Sequence, residues 1–332
     1  MMAVYNEEPV LEEKLNSIFE NDYPLYKIQI LIGSDNSTDN TNQILQKYAD
    51  QYPQLSFQIF DRQGKANILN QLSELARGSI YIFTDANVFF SKTLIYELIK
   101  YFKTDSIGQV GAYFQNVGMK KAGIGGQEKA YIDRESQIKF REGLLWGSMM
   151  GAFGGCYAIR SDCFTKNPPN YYMEDFYLSM YVLSLNKKAI LNPEAKDEED
   201  VPNNVAEEFK RKTRISIGNY QNLRSYYFLL FPLTSGLGFS FFSHKFLRWI
   251  GPFLLFFALL SNVLIVLLFN QFVYQLILFL QLFAYIAVPI FDLILKRIGI
   301  HLSLFRYISY FILMNIALML SLIHISEPTR PY

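Results

Sequence analysis

Cysteine and histidine are nearly absent from this sequence. Its 332 residues include two cysteines, Cys156 and Cys163, and three histidines. That is too few for a zinc site of the Cys/His type. Two isolated thiols read instead as reduced residues of a cytosolic domain. Excess charge of one sign is missing as well. Lysine and arginine number 31 against 30 acids, a formal net charge of +1, so no electrostatic case exists for a nucleic-acid partner. The opening "MMAVYNEE" has acids where a secretory signal would need a long apolar run.

Apolar residues are abundant, at 51% with 29 Phe and 23 Tyr, and they are concentrated toward the end of the chain. Residues 1–223 have the mixture of an ordinary globular domain. Beyond them, Trp249–Phe269, "WIGPFLLFFALLSNVLIVLLF", and Gln271–Phe291 each supply the roughly 20 apolar residues of a spanning helix. A third run extends from about Leu304 to Leu320. Residues 249–322 are therefore expected to hold about three transmembrane helices. Residues 224–248, apolar but broken by Pro232, Gly236 and Gly238, are expected to lie on the membrane surface. Lys245 and Arg248 precede the first span, and Lys296, Arg297 and Arg306 separate the second from the third. The uncharged Asn270-Gln271 junction falls on the other side. The positive-inside rule then places residues 1–223 in the cytoplasm, on the inner face of the cell membrane.

Both ends are unusual. "LSLIHISEPTR", Leu320–Arg330, reads as a translated sequencing-library adapter, so residues 320–332 are expected not to belong to the natural protein. Only Met1–Val4 precede "YNEE", and a longer first strand is expected upstream.

The first 223 residues alternate between strand and helix patterns. Strands are expected at 27–33, 55–60, 79–83 and 109–114, and helices at 39–49, 65–76 and 94–102. This order predicts an α/β fold with a parallel or mixed sheet covered by helices. Ligands of such sheets bind at the carboxyl ends of the strands. Four polar segments break the chain there: Tyr5-Asn6-Glu7-Glu8, Ser34 to Asp39, Gln63-Gly64-Lys65 and Thr84-Asp85-Ala86-Asn87. Each alone reads as a turn or cap, because Asx side chains satisfy their own backbone. Together they describe a nucleotide-diphosphate site. Lys65 and the helix start face anionic oxygens, and Asp85 and Asn87 hold a divalent ion that bridges the phosphates.

In this order and spacing, "YNEE", "SDNSTDNT", "GKANILN", "TDAN", "GGCYAIR" and "MEDFYLSM" resemble a family 2 glycosyltransferase of the GT-A fold, a Rossmann-like mixed sheet with helices on both faces. The resemblance covers about residues 3–221. The apolar tail is similar to that of membrane-bound members that make surface polysaccharides or glycolipids. The resemblance implies an inverting hexosyltransferase that uses a nucleotide-diphospho-sugar donor, Mg²⁺ or Mn²⁺, and a lipid-linked or glycan acceptor. It implies that Tyr5, Asn6, Glu7, Asp35 and Lys65 bind the donor, with Asp35 on the base. It implies that Asp85 begins the metal motif, with Asn87 in place of the usual second acid. Asp175, beside Glu174, stands where the family has its general base. Gly154 and Gly155 let backbone approach sugar or acceptor closely. Read without the family, Glu174-Asp175 is an acid pair favoured at a helix N-terminus.

One stretch departs from the family pattern. Processive members carry Gln-x-x-Arg-Trp before the membrane, whereas "RKTRISIGNYQ" has Arg211 for Gln, keeps Arg214, and has Ile215 for Trp. No aromatic platform stands there to hold a growing glycan. Arg211 and Arg214 bind the donor diphosphate on one reading and anionic lipid headgroups on the other. Two further readings stay open: a processive polysaccharide synthase, and a catalytically idle membrane subunit that only binds sugar nucleotide.

Overall fold

The computed structural model describes residues 1–116, 125–199, 205–300 and 302–324. The chain forms two compact units. The first comprises Met1–Asn203 and Gln221–His244, and the second Asn204–Tyr220 and Lys245–Pro328.

The first unit begins with alternating strands and helices. They are β1 (Met2–Val4), α1 (Glu8–Phe19), β2 (Ile30–Asp35), α2 (Thr41–Gln51), β3 (Leu55–Phe60), α3 (Lys65–Leu75) and β4 (Ile80–Thr84). Next come β5 (Val88–Phe90), α4 (Leu94–Ile99), β6 (Ile107–Asn116), α5 (Gly125–Trp146), β7 (Cys156–Arg160), α6 (Glu174–Ser184) and β8 (Lys188–Glu199). Strands β1, β2 and β3 pair in parallel in that order. A second sheet has the order β4-β7-β6-β8-β5, with β6 and β8 parallel and the other neighbours antiparallel. The Thr84 N–H donates to the Met1 carbonyl at 3.2 Å, which sets the end of β4 beside the start of β1. The fold is therefore α/β with mixed sheets. Leu11, Leu15 and Ile18 recur along one face of α1 and bury against β1, β2 and the Leu45 and Tyr48 face of α2. A second core packs Leu94 and Leu98 of α4 against Val88, Val110 and Ala158 of the larger sheet.

The loops that leave the first three strands each contain one residue in the left-handed region: Asn6 (φ 54°), Asn36 (φ 61°) and Gly64 (φ 86°). Asn and Gly are the residues that tolerate this conformation. Each loop thus turns sharply and enters its helix within a few residues of the strand end.

A buried lysine holds the next loop. Lys14 of α1 has no solvent exposure, and its ammonium donates to Thr84 Oγ1 at 2.7 Å and to the Val88 carbonyl. Those acceptors stand on either side of Asp85-Ala86-Asn87. The amine also lies 3.8 Å from the centre of the Phe90 ring, and burial lowers its pKa to about 7 against the pull of Cys156, Asp197 and Asp85. One side chain therefore fixes both ends of the loop that carries Asp85.

The second unit is helical. Residues 205–220 belong to α7 (Val205–Tyr226), whose remaining residues belong to the first unit with α8 (Gly236–Ser240) and the π-helical turn Phe241–Phe246 up to His244. Then follow α9 (Leu247–Phe269), α10 (Phe272–Leu282), a π-helical turn at Phe283–Ala287, α11 (Val288–Arg297) and α12 (Ser303–His324). Three continuous stretches are long and apolar enough to cross a membrane: Gly236–Phe269, Phe272–Arg297 and Ser303–Leu320. The first starts inside the 224–248 segment that the sequence places on the membrane surface. The π-helical turn before Pro289 follows from the donor that proline lacks. The Asn262 amide of α9 donates to Gln281 Oε1 of α10 at 2.9 Å, which satisfies two polar side chains that lipid could not.

Replacing Lys14 with Met is expected to leave the buried Thr84 and Val88 acceptors without their donor. The expected loss is about 3 kcal/mol, read as a drop in melting temperature of roughly 5–10 °C. An unchanged melting temperature would show that Lys14 does not hold the loop.

Candidate active site

The polar strand ends meet in one continuous chain of contacts. It starts at the loop after β1. The Asn6 N–H donates to Ser37 Oγ at 3.1 Å, and the Thr38 N–H donates to Asn6 Oδ1 at 2.8 Å. The Glu7 N–H donates to Thr41 Oγ1 at 2.9 Å. The loops after β1 and β2 are thereby locked together, and Tyr5 remains on the surface.

Asp35 ends β2 almost fully buried. Its carboxylate accepts from Arg62 Nη1 at 2.5 Å, from the Gln63 N–H at 2.7 Å and from the Gly64 N–H at 3.1 Å. The Arg62 guanidinium lies flat over Tyr5, 3.4 Å from the ring centre. Arg62 was not singled out in the sequence, where "DRQGK" gives it no distinguishing spacing. Only the fold shows that it couples Asp35 to Tyr5.

Lys65, the first residue of α3, reaches the opposite side. Its ammonium lies 2.6 Å from Asp85 Oδ1 and 2.6 Å from Glu174 Oε1. Burial alone would lower its pKa. The charges of Asp85 and Glu174 more than reverse this, and the ammonium is held above its ordinary range. Glu174 and Asp175 open α6 and are both buried. Glu174 had been paired with Asp175 only by adjacency in sequence. The structure gives it a distinct partner in Lys65.

Asp175 lies beside Gly154. A Cβ at Gly154 would stand 2.9 Å from Asp175 Oδ2, so a larger residue would displace the carboxylate. The Phe176 N–H donates to Asp175 Oδ1 at 2.8 Å. Burial, with the neighbouring Glu174 charge, pushes the Asp175 carboxyl up to about 6 against the pull of Lys65. The Asp85 N–H donates to the Gly155 carbonyl at 3.1 Å, which joins the Asp85 loop to the glycines. Burial, followed by the charges of Asp85 and Asp39, raises the pKa of Glu7 from the first loop.

The fold thus brings together Tyr5, Asn6, Glu7, Asp35, Lys65, Asp85, Gly154, Gly155, Glu174 and Asp175. Asn87 is half-buried in the loop of Asp85. Arg211 and Arg214 lie on α7 within the second unit. Hard oxygen donors suit Mg²⁺ or Mn²⁺, and the Asp85 and Glu174 carboxylates already converge on a single positive charge. Among the described residues no cluster of three or more His, Cys, Asp or Glu side chains is arranged to hold a metal alone. An ion here would need oxygens from a bound diphosphate to complete its shell.

A mixed α/β sheet with acids and a helix start at its strand ends is a GT-A-like fold. Residues 1–164 match the family model "Glycosyl transferase family 2". Over 113 residues the chain is 33% identical to the beta-monoglucosyldiacylglycerol synthase of Synechocystis sp., covering 32% of this chain and 23% of that protein. Over 105 residues it is 30% identical to the poly-beta-1,6-N-acetyl-D-glucosamine synthase of Staphylococcus aureus, covering 32% of this chain and 25% of that protein. These matches span about a quarter of the length of either relative. Among solved structures, the mannosyltransferase PcManGT of Pyrobaculum calidifontis, in complex with GDP-Man and Mn²⁺, superposes with a TM-score of 0.69. It is 18% identical, and the match covers 98% of this chain and 86% of that one, a likeness of fold.

Proposed function

We propose that this chain is a membrane-anchored inverting glycosyltransferase that moves a sugar from a nucleotide-diphospho-sugar to a lipid-linked or small glycan acceptor. The observation that carries this reading is the Lys65 bridge. One ammonium contacts Asp85, on the donor-diphosphate side, and Glu174, the neighbour of Asp175 on the acceptor side. Asp85 and the neighbour of Asp175 therefore share one ammonium, and Asp35 holds the Gln63 and Gly64 N–H groups just ahead of Lys65. An idle subunit that only bound nucleotide would have no use for a buried base beside the acceptor glycines.

Each group has a role on this reading. Asp35, held by Arg62 and two backbone donors, accepts from the nucleotide base. Tyr5 and the guanidinium above it offer a flat surface to the same end of the donor. Asp85 and Asn87 would hold the divalent ion, which stabilises negative charge on the departing diphosphate. The loss of one carboxylate at Asn87 is offset in part by Glu7 and Glu174 nearby. Asp175 takes the proton of the acceptor hydroxyl as oxygen attacks the anomeric carbon from the face opposite the leaving group. Attack from that face inverts the anomeric centre. Gly154 leaves room for the acceptor beside this carboxylate.

The GDP-Man and Mn²⁺ of the Pyrobaculum structure and the glucolipid and glucosamine-polymer products named for the relatives favour a sugar-nucleotide donor and an ion. The basic residues flanking the candidate spans favour a cytoplasmic catalytic domain. Ile215, in place of an aromatic platform, favours addition of one or a few sugars over processive synthesis, because it lacks a flat π-face for stacking. Arg211 and Arg214 retain both uses, diphosphate or headgroup.

Asp175→Asn is expected to lower transfer by on the order of 10²-fold or more while nucleotide binding persists. The wild-type rate is expected to fall with pH below about 6, because the base acts only when ionised and its pKa is raised to about 6. An Asn variant with normal turnover would remove Asp175 from the chemistry. Chelation is expected to abolish transfer, and Mn²⁺ to restore it. Asn87→Asp is expected to keep activity and bind the ion more tightly, measured as the Mn²⁺ concentration giving half-maximal rate. Full turnover in chelator by metal-free protein would exclude the ion.

A further inference from the structure

The first unit presents an apolar edge at the end of α5. There, Leu144, Leu145 and Trp146 are 71%, 65% and 45% exposed. Three consecutive large apolar residues cannot be explained as one stripe of an amphipathic helix, because adjacent positions point in different directions. Trp146 is nevertheless packed on one side. Its ring meets Phe239 edge-on with centroids 5.8 Å apart, and a Cβ at Gly236 would stand 2.2 Å from Trp146 Cγ, so only glycine fits there. Gly236 and Phe239 lie in the first stretch long enough to cross a membrane, Gly236–Phe269. The start of that stretch is defined: Ser235 caps it by accepting from the Gly238 N–H at 3.0 Å. Phe239 and the preceding Phe231 are themselves 52% and 69% exposed. Lys188 is exposed beside this edge, with its stem against Gly147, the residue after Trp146.

We propose that the α5 terminus, Leu144-Leu145-Trp146, is a membrane-embedded edge of the catalytic unit that sits in the bilayer interface beside the start of the first spanning stretch. The occupant of this surface is lipid. Tryptophan suits the boundary because its body is apolar and its N–H is polar. Lys188 lies where an ammonium reaches anionic headgroups while its stem stays on apolar surface. The two apolar segments are far apart in sequence, and their contact makes one continuous face. From Trp146 the chain runs past β8, where the Met149 N–H donates to the Ala189 carbonyl at 3.0 Å, and on to Gly154 beside Asp175. An acceptor held in the bilayer would thus meet the catalytic unit along the segment that leads to the base. This inference rests on the reading that Gly236–Phe269 enters a membrane.

The sequence has two tryptophans, Trp146 and Trp249, so Trp249→Phe leaves Trp146 as the sole reporter. The full chain is reconstituted in vesicles of phosphatidylcholine and phosphatidylglycerol, with and without bromine near the headgroup end of the phosphatidylcholine acyl chains. Trp146 emission is expected to fall by on the order of half with brominated lipid, and aqueous iodide is expected to quench it weakly. Quenching by iodide but not by bromine would overturn the proposal. A second variant tests the reading beneath it: Phe257→Trp on a background with both tryptophans changed to Phe. Phe257 is 57% exposed on α9. Bromine quenching at Phe257→Trp without quenching at Trp146 defeats this proposal alone. No quenching at either position defeats the membrane reading and the proposal with it.

Discussion

The arrangement of the site depends on a charge buried under it. The Lys14 ammonium ties the first helix to both ends of the Asp85 loop. A buried amine is costly unless its donors find acceptors, and here Thr84 Oγ1 and the Val88 carbonyl accept from it. Helix α1 also begins directly after Tyr5-Asn6-Glu7. The loop expected to touch the nucleotide and the loop expected to touch the ion are therefore both mounted on a single helix, the first at its N-terminus and the second through Lys14 in its middle. Movement of either would disturb the other.

The alternating part of the fold was legible because its signals are local. The sequence places strand 55–60 and helix 65–76, and the structure has Leu55–Phe60 and Lys65–Leu75. Helix α5 was not legible. Its residues 125–146 carry charges around the whole circumference, and Glu135, Lys139 and Glu142 are buried as polar groups rather than replaced by apolar ones. A periodicity argument has nothing to detect in such a helix. Strand β8 was missed for a related reason: "KAILNPEAKDEE" contains a proline and a run of acids, and it becomes a strand only through its pairing with β5 and β6.

The site was legible where a motif and a strand end coincide, as at Asp35, Lys65 and Asp85. It was not legible where two distant segments touch. Nothing in "DRQGK" says that Arg62 lies over Tyr5, and nothing in "MEDF" says that Glu174 shares Lys65 with Asp85. Such pairings follow from strand order, and strand order is set by contacts across the whole domain. The resemblance to family 2 supplied roles for these residues, whereas the geometry supplies the couplings among them.

The sharing of Lys65 has an electrostatic corollary. In the linked cluster two carboxylates, those of Asp85 and Glu174, contact one ammonium, and the Asp175 carboxyl lies within reach of its charge. The cluster is anion-rich before any ligand arrives, so on the proposed reading a naked nucleotide diphosphate would be repelled from it. A diphosphate already neutralised by a divalent cation would not. On the proposed reading the cluster would act as a valence filter, and a divalent cation would be an admission requirement for the donor as well as a stabiliser of the leaving group.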